Sequence, residues 1–98
     1  MRFAARTDAN QASIVAILKQ LECSVQDLSA VGNGCPDLCV VMGEHTVMIE
    51  VKDGAKSASR RELTPAQRLW HAQWTGKLHT VDSIEQVLDL VAHYRKRS

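Results

Sequence analysis

The stretch His45-Thr46-Val47-Met48-Ile49-Glu50-Val51-Lys52 constrains this chain more than any other. Side chains of a strand point alternately to its two faces, so Val47, Ile49 and Val51 share one face and Met48, Glu50 and Lys52 the other. Asp37 to Met42 reads as a second strand, and Gly43-Glu44 between the two suits a two-residue hairpin turn. With that turn, paired positions sum to 87: Met42 faces His45, and Asp37 faces Glu50. Directly opposite residues point to the same side of a sheet. The hairpin therefore predicts two carboxyl groups and the Lys52 ammonium on one patch.

The flanking segments supply the rest of a sheet and its helices. Asp8 or Asn10 can cap a first helix, in which Ile14, Val15, Ile17, Leu18 and Leu21 recur at helical spacing. Cys23 to Leu28 reads as a short strand. Val31-Gly32-Asn33-Gly34 breaks the chain, and Pro36 pushes Cys35 toward an extended conformation. Asp53 to Leu63 is polar and basic and reads as a loop. Thr64-Pro65-Ala66-Gln67 then announces a helix: Thr64 caps, Pro65 suits the first helical position, and Gln67 completes a capping box. That helix carries Leu69, Trp70 and Trp74, and Gly76 stops it. Leu78 to Val81 is a strand. Ser83 with Gln86 forms a second capping box, ahead of a last helix whose stripe is Ile84, Val87, Leu88 and Val91, ending near Tyr94. The expected order is α-β-β-β-α-β-α, an α/β chain with a mixed sheet flanked by helices.

At 98 residues this is one domain, residues 1–98 with a core of about 8–94. Aromatic residues are 4% of the chain, so the core rests on aliphatic side chains, and a core that thin favours self-association. Charge is unevenly spread: residues 1–50 hold three basic and six acidic residues, and residues 51–98 hold nine and five. The basic excess lies at Lys52, Lys56, Arg60 and Arg61 and at Arg95, Lys96 and Arg97. Three cysteines, Cys23, Cys35 and Cys39, cannot all pair within one chain. Cys35 and Cys39, with His45 nearby, lack the second ligand pair of a structural zinc site, so buried apolar thiols are the better expectation. Met1 to Asp8 has no apolar core of a signal peptide, and no apolar run approaches the roughly 20 residues that span a bilayer. The expectation is a protein of a reducing cytoplasm, with no membrane partner.

Paired carboxylates repel unless a cation lies between them. Hard oxygen ligands with open positions suit Mg²⁺ or Mn²⁺, which keep bound waters and take phosphate oxygens. A lysine beside them can orient water or offset charge growing on a phosphoryl group. The set matches phosphodiester hydrolysis better than glycoside or acyl transfer. No glycine-rich phosphate loop ending in Lys-Ser/Thr is present, which disfavours nucleoside triphosphate hydrolysis. Glu-X-Lys alone is common on exposed strands, where it forms a solvated pair. The Pro-Asp at a strand start, the cross-strand match and the basic segment after Lys52 point together to chemistry. Lys56, Arg60 and Arg61 are then expected to contact nucleic-acid phosphates.

Gly34-Cys35-Pro36-Asp37, Glu50-Val51-Lys52-Asp53-Gly54 and Leu63-Thr64-Pro65-Ala66-Gln67 together resemble the PD-(D/E)XK nuclease superfamily. Within it the chain is most similar to the stand-alone virus-type replication-repair nuclease (VRR-NUC) domains of phages and bacteria. The resemblance runs from about Asp8 to Val91. It implies a restriction-endonuclease-like fold. Asp37, Glu50 and the Val51 carbonyl would bind the metal, Lys52 would be the catalytic lysine, and Gln67 would join them. Relatives often carry a Glu in the first helix; the match here is Gln11, a weaker ligand and an accessory residue. By spacing alone, His71, one helical turn after Gln67, is a second accessory candidate that could face the site or a phosphate, with a surface or packed histidine as the more frequent alternative. Branched DNA such as four-way junctions, a homodimer, and the cytoplasm of a bacterial or phage-infected cell are further implications. The rival expectation is a non-cleaving DNA-binding subunit of a phage or repair assembly. A base-reading restriction enzyme needs a recognition element for which this chain has little room. Trp70 and Trp74, one helical turn apart, are expected in the core or a dimer interface, with base stacking as the alternative. His45, His79 and His93 have no partners visible in sequence.

Overall fold

A computed structural model describes residues 9–53 and 62–96. The elements are α1 (Ala9–Gln20), β1 (Ser24–Asp27), β2 (Leu38–Met42), β3 (His45–Val51), α2 (Pro65–Gln73), β4 (Lys77–Val81) and α3 (Ile84–Lys96). The order is the expected one. The four strands form one mixed sheet, β1-β2-β3-β4. The first three run antiparallel, and β4 lies parallel to β3, as a strand reached through an intervening helix can.

The hairpin register is as the turn dictates, from Met42 opposite His45 to Leu38 opposite Ile49. Gly43 takes a φ of 62° and Glu44 does not, the pattern of a hairpin turn with glycine at its first central position. On one face Leu38, Val40, Met42, Val47, Ile49 and Val51 pack against Ile14 and Leu18 of α1 and Val87, Val91 and Tyr94 of α3. α1, α3 and the four strands share this core. The opposite face is open at the turn end, where Val41 and Thr46 are exposed, and closed at the other end, where Met48 and Glu50 are buried.

Several boundaries differ from expectation. β2 begins one residue after Asp37, β3 ends one residue before Lys52, and α3 runs two residues past Tyr94. Leu88 is not in the apolar stripe of α3 and is exposed; Leu90 packs on the core instead, because Ile84, Val87, Val91 and Tyr94 set the buried face. Ser83 Oγ accepts from the Gln86 amide as expected, but the Gln86 side chain reaches back to the Asp82 amide rather than that of Ser83. Cys35 and Cys39 are half-buried rather than core thiols, whereas Cys23 is buried. Among the described residues no helix is long and apolar enough to cross a membrane.

The helix α2 is unusual in burying none of its residues. Nine residues are too few to hold a helix in water by propensity alone. Its N-terminus is held by a complete capping box at Thr64 and by a close approach of the loop before β2. Gly34, at φ +82°, lies so near that an added Cβ would sit 2.3 Å from the Ala66 carbonyl oxygen. Only glycine fits both demands.

Candidate metal centre

Residue 37 lies just ahead of β2, and the register carries it opposite Glu50. Its carbonyl accepts from the Leu28 amide at 2.7 Å, which extends the β1–β2 pairing to this point. Its side chain turns across the hairpin: Asp37 Oδ2 accepts from the Val51 amide at 2.9 Å. The amide and carbonyl of one strand residue leave the same edge, so the Val51 carbonyl also points to the Asp37 side.

Glu50 is 3% exposed, which excludes a solvated Glu–Lys pair. Its Oε2 accepts from Gln67 Nε2 at 3.0 Å. Gln67 Oε1 in turn accepts from Lys52 Nζ at 2.8 Å and from the Thr64 amide at 2.9 Å. Both of those groups only donate, so they fix which end of the amide is oxygen. One side chain thus closes the capping box of α2 and ties Glu50 to Lys52. The Lys52 carbonyl is held as well, accepting from Asn10 Nδ2 at 2.7 Å, while the Lys52 amide donates to the Val81 carbonyl at 2.8 Å.

The remaining oxygen of Glu50, Oε1, is buried without a hydrogen-bond donor among the described residues. An unsatisfied carboxylate oxygen is costly unless a proton or a cation meets it. Burial first, then the Asp37 charge and a hydrogen bond shared with Asp37, push the Glu50 carboxyl from 4.5 up to about 8, while Lys52 pulls it down. When Glu50 is ionised, Oε1 meets no donor among the described residues, and the Asp37 charge disfavours that ionised form. A cation between the two carboxyl groups would relieve this repulsion, and so would a retained proton. Among the described residues no group of three His, Cys, Asp or Glu side chains makes a metal cage. The donor set here is two carboxylates and a backbone carbonyl, which fits an ion such as Mg²⁺ that binds through one or two carboxylates and retains water.

His71, one helical turn beyond Gln67, reaches the same neighbourhood. Its proton affinity is lowered by burial and then by the Lys52 ammonium, and its Nε2 is buried without a partner among the described residues. Gln11 is buried, and one of its contacts is with Asp27, Nε2 to Oδ2 at 3.4 Å. Asp27 pairs with Leu38 and so lies on the core face, across the sheet from Asp37 and Glu50. Lys56, Arg60 and Arg61 lie outside the described residues. Sequence reasoning missed Asn10, read only as a cap, and Cys35, whose thiol is pushed up by burial and then by Glu50 and Asp37. The Pro-Asp spacing could have flagged Cys35, two residues from Asp37 on an extended segment.

Comparison of the chain with protein-family models, with curated proteins and with solved structures returns no match. The functional reading therefore rests on the geometry of the site and on the motif pattern.

Proposed function

We propose that this chain is a Mg²⁺- or Mn²⁺-dependent nuclease that hydrolyses DNA phosphodiester bonds on a restriction-endonuclease-like fold of the PD-(D/E)XK type. The observation that carries the reading is the buried Glu50 carboxyl, which faces Asp37 with one oxygen lacking a donor among the described residues and Lys52 held beside it through Gln67. Asp37, Glu50 and the Val51 carbonyl would hold the ion. When bound, such an ion polarises a phosphoryl oxygen and lowers the pKa of a coordinated water.

The chain's own groups do the rest. Gln67 holds Glu50 and Lys52 at a set separation. The Lys52 ammonium offsets negative charge growing on the phosphoryl oxygens and orients the attacking water. Burial and the Lys52 ammonium disfavour the His71 cation, so His71 stands near the site as a neutral imidazole. Lys56, Arg60 and Arg61 supply contacts to the DNA backbone. A homodimer acting on branched DNA, such as a four-way junction in a bacterial or phage-infected cell, extends the same reading by motif resemblance.

The test is cleavage of single-stranded, duplex, flap and four-way DNA with Mg²⁺, Mn²⁺ or EDTA. Asp37→Asn should abolish metal-dependent cleavage with the fold intact. Wild-type cleavage by that variant would remove Asp37 from the site. DNA retention with no cleavage in either metal would replace the nuclease by a non-cleaving binding subunit.

A further inference from the structure

The stripe of α2 that carries Gln67 continues beyond the site. Positions 67, 70, 71 and 74 recur at helical spacing and lie on one side of the helix. Trp70 and Trp74 stack there, with ring centroids 4.8 Å apart and planes 23° from parallel. They are not in the core: Trp74 is 42% exposed, and the pair lines a shallow depression with Gln73. Nor is the outer ring loosely held. Trp74 Nε1 donates to the Lys77 carbonyl at 3.3 Å, and a Cβ added at Gly76 would come within 2.9 Å of that nitrogen. The absent side chain at Gly76 lets the indole lie against the backbone.

Two observations choose the occupant. From residue 63 to residue 81 the chain carries Arg68 and Lys77 and no acidic residue, so the segment that bears the rings is net positive and attracts a polyanion. The patch is also small. Leu69, the other large exposed apolar group of α2, projects from the far side of the helix. Two indoles offer at most about 500 Å² even if wholly covered, against about 800 Å² per partner in a stable protein interface. A pre-positioned, flat aromatic face on a net-positive segment suits a base that has left its own stack.

We infer that Trp70 and Trp74 form a stacking platform for unpaired nucleobases, set along α2 from the cleavage centre, so that the strand presented to Asp37, Glu50 and Lys52 is one with unstacked bases. The inference rests on the nucleic-acid reading above and adds the substrate feature that it leaves open. At about 1.5 Å of rise per residue the rings lie about 5 and 10 Å along the helix from Gln67, within reach of nucleotides next to the scissile phosphate.

Trp70 and Trp74 are the chain's two tryptophans, so intrinsic fluorescence reports on the platform alone. The full chain in EDTA is titrated with a single-stranded oligonucleotide, an abasic oligonucleotide of equal length and a blunt duplex. The single strand should quench strongly and the other two weakly. Trp74→Ala should weaken single-strand affinity about fivefold or more, with duplex affinity changed less than about twofold. Trp74→Phe should restore much of the loss. Gly76→Ala, which keeps both rings but displaces one, should weaken single-strand binding too, and it decides the matter if Trp74→Ala fails to fold. Equal quenching by the abasic strand, or unchanged single-strand affinity in Trp74→Ala and Gly76→Ala, overturns the platform. So does self-association that Trp74→Ala abolishes, which would give the rings to a second copy of the chain. Base-dependent quenching without cleavage in any metal keeps the platform and removes the nuclease; Asp37-dependent cleavage without such quenching does the reverse.

Discussion

Glu50→Gln preserves the shape of the buried side chain and an oxygen that can accept from Gln67, and removes the ionisable group. In the wild-type chain without metal, the Glu50 carboxyl is raised from 4.5 to about 8, chiefly by burial and then by Asp37. The folded state keeps a proton that the unfolded state gives up between those values. The stability from that proton is complete below about pH 4.5 and is lost as pH rises toward 8. Each pH unit in that window costs about 1.4 kcal/mol, so by pH 7 the metal-free wild type loses about 3 kcal/mol that Glu50→Gln keeps. For a domain of this size that corresponds to roughly 10–20 °C in Tm. The assay is thermal and urea unfolding of both proteins in EDTA from pH 5 to 8, read as a difference so that other titrating groups cancel. The gap in favour of Glu50→Gln should widen with pH. Mg²⁺ at pH 8 should stabilise the wild type, with release of a proton on binding near pH 7, and should leave Glu50→Gln nearly unchanged. Parallel pH profiles, or equal stabilisation of both proteins by Mg²⁺, would refute the idea that the buried Glu50 carboxyl facing Asp37 takes a cation.

Lys52→Ala should leave metal-dependent stabilisation largely in place while stopping turnover; single-turnover cleavage at the wild-type rate would remove Lys52 from the chemistry. Gly34→Ala should cost about 2–3 kcal/mol in urea unfolding and lower cleavage, because the new methyl meets the Ala66 carbonyl and displaces the turn that carries Gln67. Gly32→Ala, also at positive φ but with nothing within 4 Å, should cost only the backbone strain of about 1–2 kcal/mol and spare activity. Burial and the neighbouring His93 lower the His79 pKa from 6.5, so His79 stabilises the fold above that value and less as pH falls through it. In the Glu50→Gln background, stability should therefore drop between pH 7 and 5, and His79→Gln should flatten that slope. Neutralising Arg60 and Arg61 together should weaken binding to all DNA sequences alike and reduce the slope of log affinity against log salt by about 2.

Local sequence determined the hairpin and, with it, the meeting of Asp37 and Glu50. Strand alternation and a two-residue turn leave one register, and that register is the observed one. The capping box at Thr64 and the order of elements were legible for the same reason: each depends on residues within a few positions of one another. Contacts between distant segments were not. Nothing in Glu-Val-Lys shows that Glu50 is buried, since that depends on what distant segments, Gln67 of α2 among them, bring to this end of the sheet. Periodicity cannot tell that α2 buries no residue, so it could not tell that Trp70 and Trp74 stack in the open rather than in the core. Asn10 reaches Lys52 across 42 residues, and His79 meets the Tyr94 hydroxyl at 2.6 Å across 15. A side chain's donors, burial and proton affinity are properties of what the rest of the chain brings to it. Sequence could therefore name the charged groups that come together, and the tertiary structure decided that one of them, Glu50, is buried with an oxygen that meets no donor among the described residues.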